Sequence, residues 1–191
     1  MCRLVYVIGM VSGGTSAAAG ILTNNGFYNT VHAQSFESLD AVFALWPHFD
    51  RLDSGFKKPI RPVDRGTIYI AEAVFEKFKR KAIAAGFDKA VMKAPGYPIW
   101  LPELFETDAV EPLLVWRDPD ACAASMIKRH PPREYHDAKA QAIEAQTEIV
   151  RLHETYGWPM WKFSRDADIG ELERLVGVPL PIQHFDDRVE H

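Results

Sequence analysis

The distribution of apolar residues along the chain predicts four β-strands separated by helices. Short apolar stretches cover residues 3–8, 89–93, 111–116 and 158–164. The first and third, RLVYVI and EPLLVW, are nearly continuous apolar runs, which are typical of strands buried on both faces of a parallel sheet. We therefore expect these four segments to form the central sheet of the molecule.

Helical periodicity fills the intervals between these strands. Helices are predicted where apolar residues recur every three to four positions: residues 15–25, 66–85, 98–105, 121–128, 137–155 and 168–178. The side chains expected on their buried faces are Ile70, Val74, Phe75 and Phe78, then Ile143, Ile149, Val150 and Leu152, and finally Leu172, Leu175 and Val176.

Strands that alternate with helices predict an α/β fold, a three-layer sandwich with a mostly parallel central sheet. We expect one domain over residues 1–191, with a loop-rich, proline-containing insertion at about 27–65. Ligands of such folds bind at the carboxyl ends of the strands. Three segments should share that rim: Gly9–Thr15, Lys93–Tyr97 and Arg117–Asp120.

Composition narrows the range of functions. Apolar residues make up 47 % and charged residues 25 % of the chain, as in ordinary globular proteins, and the net charge is −4. A nucleic-acid partner is not expected because it needs a basic face, and no apolar run approaches the length of a membrane span. Two cysteines are too few for a disulfide framework, so we expect a cytoplasmic protein.

The stretch GMVSGGTS, which begins at Gly9, is a candidate phosphate-binding loop. Gly13 and Gly14 allow successive N–H groups to face inward, and Thr15 and Ser16 add hydroxyl donors at a helix N-terminus. A tight turn without a ligand is the alternative. Thr15 occupies the position at which a Walker A loop has lysine. This argues against an ordinary ATPase or kinase and favours a ligand with fewer phosphates and no metal.

A second candidate site follows the third strand. Arg117 ends the strand, Asp118 is a predicted N-cap, Pro119 opens the next helix, and Ser125 lies on its second turn. An arginine fork and a hydroxyl at a helix entrance can bind a phosphate monoester. Alternatively, Arg117 pairs with Asp118 or another carboxylate.

Together these motifs resemble the sulfotransferases that use 3′-phosphoadenosine 5′-phosphosulfate (PAPS). That family has a GxPRSGTS-type loop and an RDPxxxxxS motif, and this chain has GMVSGGTS at 9–16 and RDPDACAAS at 117–125. MKAP at 92–95 and WKFSRDADIGELERLVGVPL at 161–180 are similar to a lysine-containing turn and a late strand and helix of the family. The resemblance implies a P-loop NTPase-like (sulfotransferase-like) fold, PAPS as cofactor, 3′,5′-bisphosphoadenosine (PAP) as product, and no metal.

The resemblance also implies roles for individual residues. Lys93 would meet the charge on the transferring group, whereas the family's basic residue in the loop is replaced here by Val11-Ser12. Trp161 and Phe163 are possible neighbours of adenine, although aromatic residues of strands usually pack in the core. The residues implied to bind the cofactor are Ser12, Gly13, Gly14, Thr15, Ser16, Arg117 and Ser125.

The acceptor side is less specified. Related enzymes use a histidine or a glutamate as the base, which makes His32 and Glu37 candidates. No histidine follows the lysine in MKAPGYP, which favours a small bacterial or phage-type member, with a small-molecule or carbohydrate acceptor offering a hydroxyl or amine. A catalytically inactive relative that binds PAP or PAPS, and a P-loop kinase with a degenerate loop, are the alternatives.

Overall fold

Four parallel strands alternate with helices in the computed structural model, which describes residues 2–30, 65–93, 99, 102–129 and 134–181. A 3-10 helix, Pro102–Phe105, precedes the third strand. The elements in chain order are β1 Arg3–Ile8, α1 Thr15–Asn24, α2 Arg65–Ala84, β2 Lys89–Lys93, β3 Glu111–Arg117, α3 Pro119–Arg129, α4 Tyr135–Tyr156, β4 Met160–Phe163 and α5 Ile169–Val176. All four strands lie where the apolar pattern predicts them.

The sheet has the order β2-β1-β3-β4, and every pairing is parallel. Tyr28 adds a parallel bridge beyond β2, donating its N–H to Lys89 O and accepting from Val91 N, both at 2.9 Å. After β1 the chain moves to the β2 side of the sheet, and only later adds β3 and β4 on the opposite side. The order of strands therefore reverses between β1 and β3, the position at which open α/β sheets bind ligands.

Two hydrophobic cores lie on opposite faces of the sheet, as successive residues of β1 show. Leu4, Tyr6 and Ile8 pack into the core that holds the buried faces of α2, α3 and α4. Val5 and Val7 pack into the other core, with α1 and α5. Because side chains alternate along a strand, a sheet covered on both faces needs apolar residues at every position. The predicted α/β class and parallel sheet are confirmed.

Two helix faces differ from the prediction. Ile70 on α2 and Ile143 on α4 were expected to be buried, but each is 47 % exposed. The buried face of α4 is instead built mainly from alanines, together with Ile149 and Leu152. Small side chains allow α4 to approach its neighbours closely. A prediction that considers only large apolar residues therefore assigns the buried face to the wrong side of the helix.

Two boundaries also differ from the prediction. Residues 98–105 were predicted as an ordinary helix, but the described part of that segment contains the 3-10 helix Pro102–Phe105. The predicted break at 130–136 is shorter, because α4 already begins at Tyr135. Most of the predicted insertion, residues 31–64, lies outside the described residues.

Candidate functional site at the carboxyl ends of the strands

Two basic side chains, one from each of the strands that flank β1, contact the loop that follows β1. Lys93, the last residue of β2, donates from Nζ to Ser16 Oγ at 2.8 Å. Arg117, the last residue of β3, donates from Nη1 to the carbonyl oxygen of Ser12 at 2.8 Å. The three segments predicted to share one rim therefore meet through hydrogen bonds. The loop has no lysine or arginine of its own, yet a cation lies on each side of it.

The loop itself is closed more tightly than predicted. The N–H of Gly13 donates to Met10 O at 3.0 Å, which forms a turn within the loop. The prediction that the Gly13 N–H faces a phosphate is therefore wrong, because that donor is already used. Gly13 is required there for a different reason: a Cβ would lie 2.9 Å from both Met10 Cγ and Met10 O.

The first turn of α1 is the remaining source of backbone donors. Gly14 is the N-cap residue, with φ 93°, and has no side chain that could cap the helix. The first helical bond runs from Ala18 N to Gly14 O at 3.1 Å, so the N–H groups of Thr15 and Ala17 are not bonded within the helix. These groups, with the positive end of the helix dipole, favour an anion at the rim.

Ser12 has a strained backbone conformation and a buried hydroxyl. Its φ of 63° is in the left-handed region, which non-glycine residues seldom adopt. Its hydroxyl is buried and has no hydrogen-bond partner within the part of the chain that the structure describes. Strained residues and unsatisfied buried polar atoms are concentrated at functional sites. The predicted involvement of Ser12 thus rests on its backbone conformation and its hydroxyl.

Phe163, at the end of β4, contacts both halves of the site. The Arg117 guanidinium lies 5.3 Å from the centre of its ring, a cation–π distance. On the loop side, a Cβ built on Gly14 would lie 2.3 Å from Phe163 Cδ1, so only glycine fits. Trp161, the other aromatic candidate, is 1 % exposed and belongs to the core. Phe163 is therefore a wall of the site, and Trp161 is not.

Arg117 is not neutralised by a carboxylate within the described residues. Asp118 instead caps α3, because its Oδ1 accepts from Ala121 N at 3.0 Å, as predicted from the sequence. One N–H of Arg117 is used on Ser12 O, and no described residue accepts from its Nε or Nη2. An arginine carries five N–H donors, so most of its capacity for an anion is retained.

Lys93 is not the solvated lysine that a strand end usually carries. Its side chain is 1 % exposed, which places an amine inside the fold and directly against α1. Desolvation strengthens the interaction of such a cation with a nearby anion. The prediction that Lys93 supplies the charge missing from the loop is consistent with this position.

Ser125 and Arg117, predicted to bind one phosphate together, are not connected by a hydrogen bond among the described residues. Ser125 is half-buried on α3, about 10 Å along the helix axis from Asp118. No hydrogen bond within the described part links it to the rest of the site. The two candidate bases, His32 and Glu37, lie outside the described residues.

Sequence reasoning missed Gln146, which is 2 % exposed on α4 and whose Oε1 accepts from Arg117 N at 3.2 Å. The signal was available, because a glutamine stands between Ala142, Ala145 and Ile149 on the buried face of a helix. A polar residue in such a position is expected to have a specific partner.

A cavity of about 460 Å³ lies at the opposite edge of the sheet, where the strands begin. Its walls include Arg3 and Glu111, whose side chains form an ion pair at 2.6 Å, and Trp158. This edge has neither the strand-order reversal nor the helix N-terminus described above, and α/β sheets bind ligands at the other edge. We therefore place the candidate site at the rim around Arg117.

The described residues contain neither a candidate membrane span nor a candidate metal cluster. None of the helices there is both long and apolar enough to cross a membrane. No group of three or more His, Cys, Asp or Glu side chains there is arranged to hold a metal ion.

Comparisons with known proteins leave the family open. No protein-family model matches the chain, and no curated protein matches it. Among solved structures, it is similar to TT1252 from Thermus thermophilus, with 11 % identity, a TM-score of 0.43, and coverage of 92 % of this chain and 95 % of that one. It is also similar to an uncharacterized protein from Eubacterium ventriosum, with 12 % identity, a TM-score of 0.44, and coverage of 92 % and 96 %. Likenesses this weak assign neither a family nor an activity.

Proposed function

We propose that the protein is a PAPS-dependent sulfotransferase with a P-loop NTPase-like fold, which transfers a sulfuryl group to an acceptor hydroxyl or amine. One observation carries the proposal: Lys93 from β2 and Arg117 from β3 both hydrogen-bond to the glycine-rich loop between them. Two cations around a helix N-terminus suit a ligand with two separate anionic groups, and PAPS has a 3′-phosphate and a 5′-phosphosulfate.

The first turn of α1 would hold the 5′-phosphate, which is the leaving group. Gly13 is removed from this role because its N–H is bonded to Met10 O, so the donors are the N–H groups and hydroxyls of Thr15 and Ser16. Arg117 would bind the 3′-phosphate through the guanidinium N–H groups that are not directed at Ser12 O.

The transfer needs positioning and charge stabilisation more than covalent chemistry. The bond from sulfur to the phosphate oxygen breaks, and its electron pair stays on PAP. A bond from sulfur to the acceptor oxygen or nitrogen forms, and a base takes the acceptor proton. Lys93, whose Nζ donates to Ser16 Oγ, would offset the negative charge that grows on the bridging oxygen. His32 and Glu37 remain the candidate bases.

An inactive protein that binds PAP or PAPS is the second candidate. The closed turn at Gly13 favours it, since it removes one donor from the loop, and Val11-Ser12 provides no cation there. Turnover, not binding, separates it from the enzyme. A P-loop kinase is the third candidate, and it would bind ATP with magnesium in preference to PAP.

The binding experiment compares the thermal unfolding of the protein alone, with PAP, and with ATP and magnesium. At 100 times its Kd a ligand adds about 2.7 kcal/mol of stability, which corresponds to a Tm rise of roughly 5–11 °C at this chain length. We expect that rise with PAP, its loss in Arg117→Ala, and its retention in Arg129→Ala, an exposed arginine at the end of α3. An unchanged rise in Arg117→Ala would refute the 3′-phosphate role, and a larger rise with ATP and magnesium would favour the kinase.

The activity experiment measures PAP formation from PAPS with a panel of hydroxyl and amine acceptors. Lys93→Met should keep the Tm rise with PAP but reduce turnover by about 100-fold or more, because it removes a group that acts on the transition state. Lys89→Met, at the start of the same strand, is the control and should keep wild-type turnover. Wild-type binding without turnover on any acceptor would favour the inactive relative.

A further inference from the structure

A closed ring of hydrogen bonds holds the main chain of Arg117 where β3 ends. The Arg117 N–H donates to Gln146 Oε1 at 3.2 Å, and Gln146 Nε2 donates to Cys122 Sγ at 3.5 Å. The Cys122 thiol in turn donates to Arg117 O at 3.8 Å. Side chains of two helices, α4 and α3, therefore satisfy both polar groups of this single residue.

The ring is buried, and its member on α4, Gln146, is surrounded by apolar positions of that helix. Gln146 is 2 % exposed and Cys122 is fully buried. The other buried positions of α4 are apolar. A buried amide is tolerated only where its polar atoms are paired, so the presence of Gln146 on this face ties it to Arg117.

The ring fixes the starting direction of the Arg117 side chain. Fixing the N–H and C=O of a residue fixes the direction of its Cα–Cβ bond, and the far end of the side chain is then held by the Phe163 ring and by Ser12 O. An arginine has many rotamers, and ordering it at the moment of binding would cost affinity. A pre-ordered Arg117 avoids that cost.

We propose that Gln146 is the positioning residue for Arg117 and that it sets the preference of the site for adenosine ligands with a phosphate at the 3′ position. This inference rests on the proposed function. Gln146 itself does not touch the ligand. Its effect is therefore confined to the phosphate that Arg117 binds, and ligands without that phosphate are insensitive to it.

The test compares the affinities of PAP and adenosine 5′-monophosphate by calorimetry in the wild type and in Gln146→Met, which keeps the length of the side chain and removes its hydrogen bonds. We expect the affinity for PAP to fall about tenfold, in the range seen when a partner that orients a ligating residue is lost, and the affinity for the monophosphate to stay constant. In an Arg117→Ala background, Gln146→Met should change neither affinity further.

Two further variants separate positioning from general destabilisation. Ile149→Val, on the same buried face of α4, should lower Tm and leave the ratio of the two affinities unchanged. Cys122→Ala opens the ring from the α3 side and should lower the ratio in the same direction as Gln146→Met. It also provides the measurement if Gln146→Met fails to fold. Equal weakening of both ligands by the ring variants would overturn the proposal.

A ligand-free measurement distinguishes failure of this inference from failure of the proposed function. Hydrogen exchange of the Arg117 amide should be faster in Gln146→Met than in wild type and unchanged in Ile149→Val. Accelerated exchange in a protein that does not bind PAP would refute the proposed function but support the positioning of Arg117. Unchanged exchange in Gln146→Met would refute the positioning.

Discussion

Replacing Gly14 by alanine should be among the most damaging single-methyl changes in this protein. Gly14 has φ 93°, and a Cβ there would lie 2.3, 2.4 and 2.8 Å from Phe163 Cδ1, Cγ and Cβ. The ring has little freedom to move, because the guanidinium of Arg117 lies 5.3 Å from its centre and the Trp161 ring lies 5.5 Å from it. The methyl group therefore meets both backbone strain and a steric clash.

The size of the effect follows from those two terms. A non-glycine residue in a left-handed conformation costs about 1–2 kcal/mol, and overpacking of a close contact costs about 1–3 kcal/mol more. The sum, roughly 2–5 kcal/mol, corresponds to a Tm decrease of about 4–20 °C for a chain of this length. Gly26 is a matched control, since its φ is 85° and a Cβ there would meet nothing within 4 Å. Gly26→Ala should show the strain term alone.

Chemical denaturation of both variants measures the difference directly. The clash term should disappear in a Phe163→Ala background, so that Gly14→Ala then costs no more than Gly26→Ala. If Gly14→Ala and Gly26→Ala are equally destabilising in the wild-type background, Phe163 does not press on the loop, and the wall of the site has been placed wrongly.

Three further changes test other parts of the structure. Tyr6→Phe should leave the free energy of unfolding unchanged or raise it by up to about 1 kcal/mol, because the buried Tyr6 hydroxyl has no partner within the described residues; a loss of stability in denaturant melts would mean that this hydroxyl is bonded. Burial raises the pKa of Cys122 to about 11, so its thiol should resist an aromatic disulfide reagent at pH 8 until the protein is unfolded, and fast labelling of the native state would contradict its position. Hydrogen bonds from Lys139 and Tyr135 lower the pKa of Asp120, so its stabilising effect is present above the unfolded pKa of about 3.9 and is lost as the pH falls through the lower folded value. Asp120→Asn should therefore reduce Tm at pH 7 and match the wild type at pH 2. An equal loss of Tm at both pH values would exclude this electrostatic origin.

The strands were predictable because burial on both faces leaves a signature that depends on composition alone. Residues 4–8 of RLVYVI and 113–115 of EPLLVW are buried between two helical layers, whereas the charged residues that open the two runs, Arg3 and Glu111, pair with each other at the edge of the sheet. The presence of the helices was equally predictable, but the face that each helix buries was not. Ile143 and Ile70 were assigned to buried faces by their size, but both are exposed. The buried face of α4 consists mainly of alanines, and that of α2 combines Phe75 and Phe78 with small residues.

The residues of the candidate site could be predicted better than the hydrogen bonds between them. Strand ends of a parallel sheet share one rim, so Lys93 and Arg117 could be placed beside the loop from topology. Individual hydrogen bonds within and beside the site could not be placed in this way. The bond from Gly13 N to Met10 O and the one from Arg117 N to Gln146 Oε1 depend on local backbone angles and on how α4 packs, which no periodicity encodes.

The contact between Arg117 and the first loop joins positions 105 residues apart, and Phe163 lies still further along the chain. During synthesis, the glycine-rich segment leaves the ribosome before β3 and β4, which carry Arg117 and Phe163. The binding site is therefore complete only after β4 has emerged. A fragment that ends before β4 would carry the sequence signature of an anion loop without the surfaces that give the loop its shape.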